Sequence, residues 1–213
     1  ISTYNGLRGT SGDGNRTLWN TSISYPLMGS YWFITPKITY SLTHYNDIKH
    51  ARAEIDKSST RSLPIYSLDT GLIFERNSMV FGRETEQTLE PRLFYAYIPY
   101  RNQRHMPNFD SSSADLNFAE LFTPNKYTGY DRIANTNQLS AVLTTRYIDS
   151  GTGKEWLSAT VGQRYYFTDE KVDLYWSNPG KTKNRSDVLA ASQFSLFEGW
   201  RLEGAIQYST EWS

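Results

Sequence analysis

The chain has 213 residues, which is enough for one domain or for one part of a larger domain. It contains no cysteine, so disulfides, thiolate metal sites and a cysteine nucleophile are excluded within it. Lysine plus arginine and aspartate plus glutamate number 22 each, and the resulting formal net charge of zero argues against binding nucleic acid through a strongly basic face.

Aromatic side chains are frequent for so polar a chain. The sequence has 16 Tyr, 10 Phe and 6 Trp beside a mean hydropathy of −0.60. Rings with a polar tip suit a boundary between apolar and aqueous surroundings. No stretch approaches the roughly 18 apolar residues that a membrane helix requires, so a helical membrane protein is excluded. A membrane β-barrel is compatible with the composition, because its alternating strands average to a polar hydropathy.

Apolar and polar residues alternate with a period of two through most of the chain, which predicts β-strands. In 200–208, for example, Trp200, Leu202 and Ile206 share one face, while Arg201 and Glu203 share the other. The pattern predicts eight strands, at 19–25, 36–42, 68–74, 89–97, 139–147, 157–167, 188–196 and 200–208.

The connections between these strands alternate in length. Short turns are expected near 27–30, 76–79, 150–154 and 198–199, and long polar connections near 46–61, 101–136 and 168–186. Short turns at one end and long loops at the other are typical of transmembrane barrels, whereas Greek-key sandwiches mix both at each end. The predicted fold class is therefore all-β, an antiparallel up-and-down transmembrane β-barrel segment.

Charged residues lie in the middle of several predicted strands, on the faces opposite the apolar ones. In an outer-membrane barrel such faces line the lumen while the apolar faces meet lipid. In a soluble sandwich they would be the solvent side, and the alternation by itself leaves that alternative open. The residues predicted to face the lumen are Glu90, Arg92, Arg146, Arg164, Arg201 and Glu203.

The sequence supplies little for catalysis. His44, His50 and His105 lack a spacing that would place two ligands on one helical face, so surface positions are expected for them. No Gly-x-Ser-x-Gly motif occurs, and the glycine-rich stretch 9–14 lacks the ending of a phosphate loop. No catalytic, cofactor-binding or metal-binding residue is predicted, although a barrel hydrolase could assemble its site from neighbouring strands.

The connection 101–136 is longer than an ordinary structureless loop and is rich in apolar side chains. Such a loop facing open water would be a liability, so we expect it to be ordered and to pack over the barrel mouth or on a partner. The residues predicted to form this mouth loop are Phe109, Asp110, Phe118, Phe122, Tyr127, Tyr130, Asp131 and Arg132.

Several motifs in a fixed order resemble those of one family. They are LEPRLFYAYIPYRNQ at 89–103, PNFDSS at 107–112, YTGYDRIANTNQ at 127–138 and VGQRYYF at 161–167. Together they resemble the central part of the C-terminal β-barrel of the LptD family of outer-membrane lipopolysaccharide-assembly proteins, also called OstA or organic-solvent-tolerance proteins. The resemblance runs at least from about Arg61 to Tyr208.

The resemblance implies that 1–213 is a partial outer-membrane β-barrel domain from a larger barrel of a Gram-negative bacterium. The implied partners are lipopolysaccharide, a plug lipoprotein of the LptE type inside the barrel, and other components of the periplasmic lipopolysaccharide bridge. Those components would be reached through a jellyroll domain outside this segment, and the mouth loop would lie where the plug sits. The implied function is non-enzymatic insertion of lipopolysaccharide into the outer leaflet, without a cofactor. A general porin or uptake receptor, or an outer-membrane hydrolase, are the alternatives.

Overall fold

The computed structural model describes residues 2–4, 12–49, 51, 53–80, 82–174, 183–197 and 199–209. This part of the chain forms one antiparallel 11-stranded sheet, and its single 3-10 turn, η1 (Glu120–Phe122), lies in the connection between the seventh and eighth strands. None of the described residues belongs to a helix long and apolar enough to cross a membrane. The strands are β1 (Ser2–Tyr4), β2 (Asp13–Ser24), β3 (Leu27–Met28), β4 (Trp32–Lys49), β5 (Ser59–Leu72), β6 (Phe74–Val80), β7 (Arg83–Ile98), β8 (Thr136–Asp149), β9 (Glu155–Tyr166), β10 (Val188–Phe197) and β11 (Trp200–Tyr208).

Strands that are neighbours in the chain are neighbours in the sheet. The order is β1-β2-β4-β5-β7-β8-β9-β10-β11, with β3 paired to β4 and β6 paired to β7. β3 continues the line of β2 beyond Pro26, which has no N–H to give to the ladder, and β6 continues β5 beyond Ile73. Within the described residues β1 and β11 are the two ends of this path, so the sheet is an open up-and-down sheet.

The two faces of the sheet have different surroundings. One face packs against residues 99–135, the connection between β7 and β8; we call this connection the cover loop and this face the covered face. Val142, Arg164 and Leu189 are buried there. The opposite face, which we call the open face, carries large apolar side chains that stay exposed, including Trp19, Ile23, Ile38, Tyr40, Leu68, Leu89, Leu93, Leu143, Val161, Leu202 and Ile206.

The eight predicted strands are all present, and the structure adds β1 at the edge and the segments β3 and β6, which pair with β4 and β7. The described residues form one sheet rather than two packed sheets, which contradicts the sandwich alternative. The turn predicted near 76–79 is wrong, because Arg76 and Met79 pair with β7 and the chain reverses between Val80 and Arg83. Gly82 supplies the left-handed φ of 76° that this tight reversal uses.

The three histidines do not come together. His44 Nδ1 lies 2.8 Å from Thr60 Oγ1, and His105 Nδ1 lies 2.7 Å from the carbonyl oxygen of Glu54, both at exposed positions. His50 lies outside the described residues.

Candidate functional site: a loop docked on the sheet

The cover loop is attached to the covered face through three small hydrophobic clusters. The strand partners come from β5, β7, β8 and β10, so the loop crosses most of the width of the sheet. A further partner lies in the connection between β9 and β10. The clusters are Ile133 with Leu63 and Ile98, Leu121 with Val142 and Leu189, and Tyr127 with Ala134 and Val172.

A buried carboxylate, Asp131, connects the cover loop to two strands. Its Oδ1 accepts hydrogen bonds from Arg16 Nη1 of β2 at 2.9 Å and from the Tyr45 hydroxyl of β4 at 2.7 Å. Its Oδ2 accepts from the backbone N–H groups of Phe109 and Asp110, at 2.6 and 2.8 Å. Four donors thus surround a side chain that is 0% exposed, which is what a buried charge needs in order to be tolerated.

The guanidinium of Arg61 on β5 fills the space beside this carboxylate. It is 2% exposed and donates to the backbone carbonyls of Asp131 and Tyr130, both at 2.6 Å. It also donates to Gln103 Oε1 at 2.9 Å and to Thr43 Oγ1 at 3.1 Å. Arg61 therefore joins the beginning and the end of the cover loop to β4 and β5.

The pKa values of the two carboxyl groups of this cluster, Asp131 and Asp110, are shifted in opposite directions. Burial raises the pKa of Asp131, and the neighbouring Asp110 carboxyl raises it too, against the hydrogen bonds from Tyr45 and Arg16. Burial also acts to raise the pKa of Asp110, but bonds such as that from Arg16 outweigh it and lower the pKa to about 2. The Arg16 Nη2 to Asp110 Oδ2 distance is 2.8 Å, and this pair favours the ionised form of Asp110.

The turn η1 docks on β8 and β9 at a position where only glycine fits. A Cβ atom at Gly162 would lie 2.7 Å from Leu121 Cδ1 and 2.9 Å from Val142 Cγ2. The next ring, Phe122, meets Phe94 edge-on with its centroid 6.2 Å away. Arg92 lies over the ring of Phe122, with its Cζ 3.8 Å from the ring centroid, in cation–π geometry.

Arg164 of β9 binds the backbone of this turn. Its Nη2 donates to the backbone carbonyls of Glu120 and Thr123, and its Nε to Ser140 Oγ at 3.3 Å. The side chain is buried, with 3% exposure. These carbonyls belong to the first residue of η1 and to the residue that follows the turn, so Arg164 contacts both ends of it.

The cover loop also contacts the connection between β9 and β10. The Tyr127 hydroxyl lies 2.8 Å from Glu170 Oε1 and 2.7 Å from the backbone carbonyl of Val172. Burial raises the pKa of Tyr127, and so does the charge of Glu170. Lys126 forms an ion pair with the same Glu170 carboxylate. Two long connections on the same end of the sheet are thereby joined.

Further along the covered face, toward the short turns, the charges form partly exposed ion pairs. Arg92 forms a two-bond pair with Asp69, at 2.8 and 2.5 Å. Arg146 lies between two carboxylates, 2.9 Å from Glu90 and 3.0 Å from Glu155. Because these side chains reach water, each pair contributes little to stability, about 0–1 kcal/mol.

Strand pairing places the residues predicted to face the lumen on the covered face. Arg146 is opposite Ser158, Ser158 is opposite Gln193, and Gln193 is opposite Glu203, which runs one row of side chains from β8 to β11. Arg201 lies on the same face and its Nη1 is 3.6 Å from Glu203 Oε1, with both side chains largely exposed. That this face lines a lumen stays a prediction for the set Glu90, Arg92, Arg146, Arg164, Arg201 and Glu203.

The residues predicted to form the mouth loop have unequal environments. Asp131, Arg132 and Tyr127 are buried, whereas Tyr130 is 49% exposed. Arg132 donates to the carbonyls of Pro107 and Met106, both at 2.8 Å, and so fixes the two halves of the loop to each other. The remaining members are Phe109, which lies 6.2 Å from the ring of Tyr45, Asp110, which pairs with Arg16, and Phe118 and Phe122, which pack around Leu121.

We call the residues joined around Asp131 the docking cluster, and the sequence did not predict four of them: Arg16, Tyr45, Arg61 and Gln103. The predicted strands began at 19 and 68 and one ended at 42, so Arg16, Arg61 and Tyr45 fell outside them. The strands of the structure extend through these positions, and their alternation of faces places all three residues on the covered face. Gln103 lay in a quoted motif, but its bonds to Arg61 and Ile133 depend on contacts that no local pattern shows.

The family is settled by comparison with known proteins. The family model described as "LPS transport system D", LptD, matches residues 3–213.

The chain belongs to the LptD family.

Relatives described as "LPS-assembly protein LptD" are similar over nearly the whole chain. That of Paraburkholderia xenovorans is 41% identical over 98% of this chain, and that of Thiobacillus denitrificans is 40% identical over 95% of it. That of Ralstonia nicotianae is 42% identical over 93% of it. The chain spans 25–27% of the length of these LptD proteins, which is about a quarter.

Proposed function

We propose that this chain forms part of the wall of an outer-membrane β-barrel that inserts lipopolysaccharide into the outer leaflet in a Gram-negative bacterium. In this proposal 1–213 is a partial barrel domain of a longer LptD protein. The family match and the names of the relatives support the assembly role.

The observation that carries the proposal is the contrast between the two faces of one sheet. The open face presents large apolar side chains to its surroundings on strands from β2 to β11, whereas the covered face carries buried and half-buried arginines and carboxylates. A soluble protein rarely exposes so large an apolar surface. A barrel wall with lipid on one side and a polar lumen on the other accounts for both faces.

The cover loop would then lie inside the lumen at the end of the long connections, which in bacterial barrels is the extracellular end. There it would contact a plug lipoprotein of the LptE type. The other partners in this proposal are lipopolysaccharide and the periplasmic lipopolysaccharide bridge, reached through a jellyroll domain. The role is non-enzymatic and needs no cofactor.

The proposal is tested by shortening the cover loop while keeping its attachment through Asp131. The backbone N–H of Ala114 donates to the carbonyl of Lys126 at 3.0 Å, so these two residues lie side by side. Deleting residues 115–125 in the full-length protein removes η1, Leu121 and Asn125 but keeps Asp131 and all four of its donors. A wider deletion of 111–125 would also remove Ser111, whose hydroxyl accepts from the N–H groups of Asp131 and Arg132.

The deletion of 115–125 should reduce co-purification of the plug lipoprotein and let large antibiotics pass the outer membrane. Asp115→Asn, an exposed change in the same segment, is the matched control and should leave both unchanged. Normal co-purification together with an intact barrier would contradict the role of the loop. Rapid swelling of liposomes by small solutes through the unaltered full-length protein would instead favour a general porin.

A further inference from the structure

The apolar side chains of the open face form a band with defined borders. On β8 it runs from Leu139 to Tyr147, and the next open-face positions on either side are the polar Asn137 and Asp149. We call it the apolar band, and it comprises 19–27 on β2 and β3, 34–42 on β4, 64–72 on β5, 89–97 on β7, 139–147 on β8, 157–165 on β9 and 200–208 on β11. Each range has nine residues, and a membrane-spanning β-strand needs about 9–11. No Asp, Glu, Lys or Arg occupies an open-face position within these ranges.

Aromatic side chains lie at both borders of the apolar band. At the border near the long connections, the Tyr95 hydroxyl donates to Asn137 Oδ1 at 2.9 Å, so the polar tip of this ring is directed out of the band. At the border near the short turns, the ring centroid of Trp156 is 5.6 Å from that of Tyr147 and 5.8 Å from that of Phe194. Such rings collect where hydrocarbon meets water in membrane barrels.

The apolar band crosses the sheet at a slope. Its middle residue on β4, Ile38, is paired with Tyr66, which lies two residues from the middle of the band on β5, Leu68. Equal shifts toward the short turns recur from β5 to β7, from β7 to β8 and from β9 to β11, which gives eight residues over the seven steps from β2 to β11. With ~3.3 Å per residue and ~4.8 Å between strands, this slope corresponds to a strand tilt of about 38°. Strands of transmembrane barrels are tilted by about 35–45°.

Three strands continue far beyond the border of the band near the long connections. β4 runs on from Leu42 to Lys49, which is about 23 Å along the strand, and β2 and β5 accompany it. By contrast, β9 ends one residue past its part of the band. The open-face side chains of these extensions are polar, namely Asn15, Thr17, His44, Asn46, Thr60 and Ser62. Their surroundings should therefore be aqueous.

The cover loop is attached both at the level of the apolar band and beyond it. Arg16, Tyr45 and Arg61 of the docking cluster each lie three residues past the border of the band on their own strand. The contacts of η1 with Val142 and Gly162 lie within the ranges of the band instead. The extensions of β2, β4 and β5 thus carry the docking cluster on their covered face.

We propose that the hydrocarbon of the bilayer covers the apolar band alone, so that the extensions of β2, β4 and β5 stand in water with the docking cluster behind them. The partner of the band is a layer of lipid acyl chains, because its length, its lack of charge and its slope across the strands all match a flat hydrocarbon layer. The inference rests on the proposed function and deepens it, since it states where the lipid ends on each strand.

The test compares arginine inside and outside the apolar band on one strand. Ile23 is the middle of the band on β2 and Thr17 lies just beyond it, and both are exposed on the open face. Ile23→Arg and Thr17→Arg are made in the full-length protein, with Ile23→Ala and Thr17→Ala as controls that add no charge. Leu68→Arg and Ser62→Arg repeat the comparison on β5. Reversible unfolding by denaturant from vesicles of dilauroyl phosphatidylcholine gives the ratio of folded to unfolded protein.

We expect Ile23→Arg and Leu68→Arg to lower this ratio about 30-fold or more, and Thr17→Arg and Ser62→Arg to lower it less than about fivefold. The inference is overturned if arginine is as costly at Thr17 and Ser62 as inside the band, because lipid would then reach beyond it. That result would leave the membrane wall of the proposed function standing. If none of the four arginines has an effect, no hydrocarbon covers this face, and the inference and the proposed wall both fail.

Discussion

Arg16 and Asp131 are separated by 115 positions in the chain, yet their side chains form a buried ion pair with Nη1 2.9 Å from Oδ1. One belongs to β2 and the other to the end of the cover loop. The pair therefore fixes the loop to a strand that lies four sheet positions away from β8, the strand that the loop precedes. Because both side chains are almost completely buried, removing one partner of the pair is strongly destabilising.

Replacement of Asp131 by asparagine should undock the cover loop. The amide Nδ2 would face either the donors Arg16 and Tyr45 or two backbone N–H groups, because all four partners of the carboxylate are donors. We expect a loss of about 3–5 kcal/mol in the free energy of unfolding, measured by urea titration of the full-length protein in micelles. Trypsin should also cleave the loop faster at Arg101 and Arg104. Asp115→Asn should behave like the unaltered protein, and equal stability of Asp131→Asn would refute the role of the pair.

Gly162→Ala should weaken the docking of η1 through a steric effect alone. The added methyl group would lie 2.7 Å from Leu121 Cδ1, so the loop or the side chain must move, at a cost of about 1–3 kcal/mol. Gly204→Ala on β11 is a matched control, since no atom lies within 4 Å of its Cβ position. The double variant with Leu121→Ala should recover part of the loss. Equal unfolding free energies for the two single glycine variants would argue against tight contact here.

Arginine on the open face should be costly if that face meets lipid. Leu143→Arg, Val161→Arg and Ile206→Arg should each lower the free energy of unfolding by roughly 2–4 kcal/mol near the bilayer midplane. Gln193→Arg on the covered face is the control and should cost far less, because it lies beside Glu203. Reversible unfolding from lipid vesicles gives the comparison. Equal sensitivity of both faces would count against a membrane wall.

Acid should weaken the docked loop through Asp110. The folded-state pKa of Asp110 is lowered to about 2 from a reference of 3.8, so its ionised form stabilises the folded state. This contribution is fully present above about pH 4 and is lost as the pH falls from about 4 to about 2. Asp110→Asn should lack this step in a plot of melting temperature against pH. Parallel curves for the two proteins over that range would show that the pair with Arg16 does not respond to pH.

The sequence allowed the strands to be predicted, but not the way in which the loop docks. Alternation identifies strands such as β11 because the polarity of each residue indicates on which face of the strand it lies, and distant contacts are not needed for this. The faces assigned to Arg146 and Glu203 follow directly from that rule. The contacts of Asp131 with Arg16 and Tyr45 depend on the path of the cover loop across the sheet, which no periodic signal encodes. The turn near 76–79 was misplaced because Arg76 and Asn77 are polar at positions that are still in a strand.

The docking cluster also provides a check on how the strands align during folding. A slip of one residue in β2, β4 or β5 would move Arg16, Tyr45 or Arg61 from the covered face to the open face. If the loop docked on such a sheet, the Asp131 carboxylate would meet an apolar surface without its donors. The segment around Asp131 would therefore stay undocked in water. Because Asp131 needs donors from these strands, the loop can dock only on a sheet whose strands are already in register. A misaligned wall would display an undocked, protease-sensitive segment, which distinguishes it from a correctly assembled one.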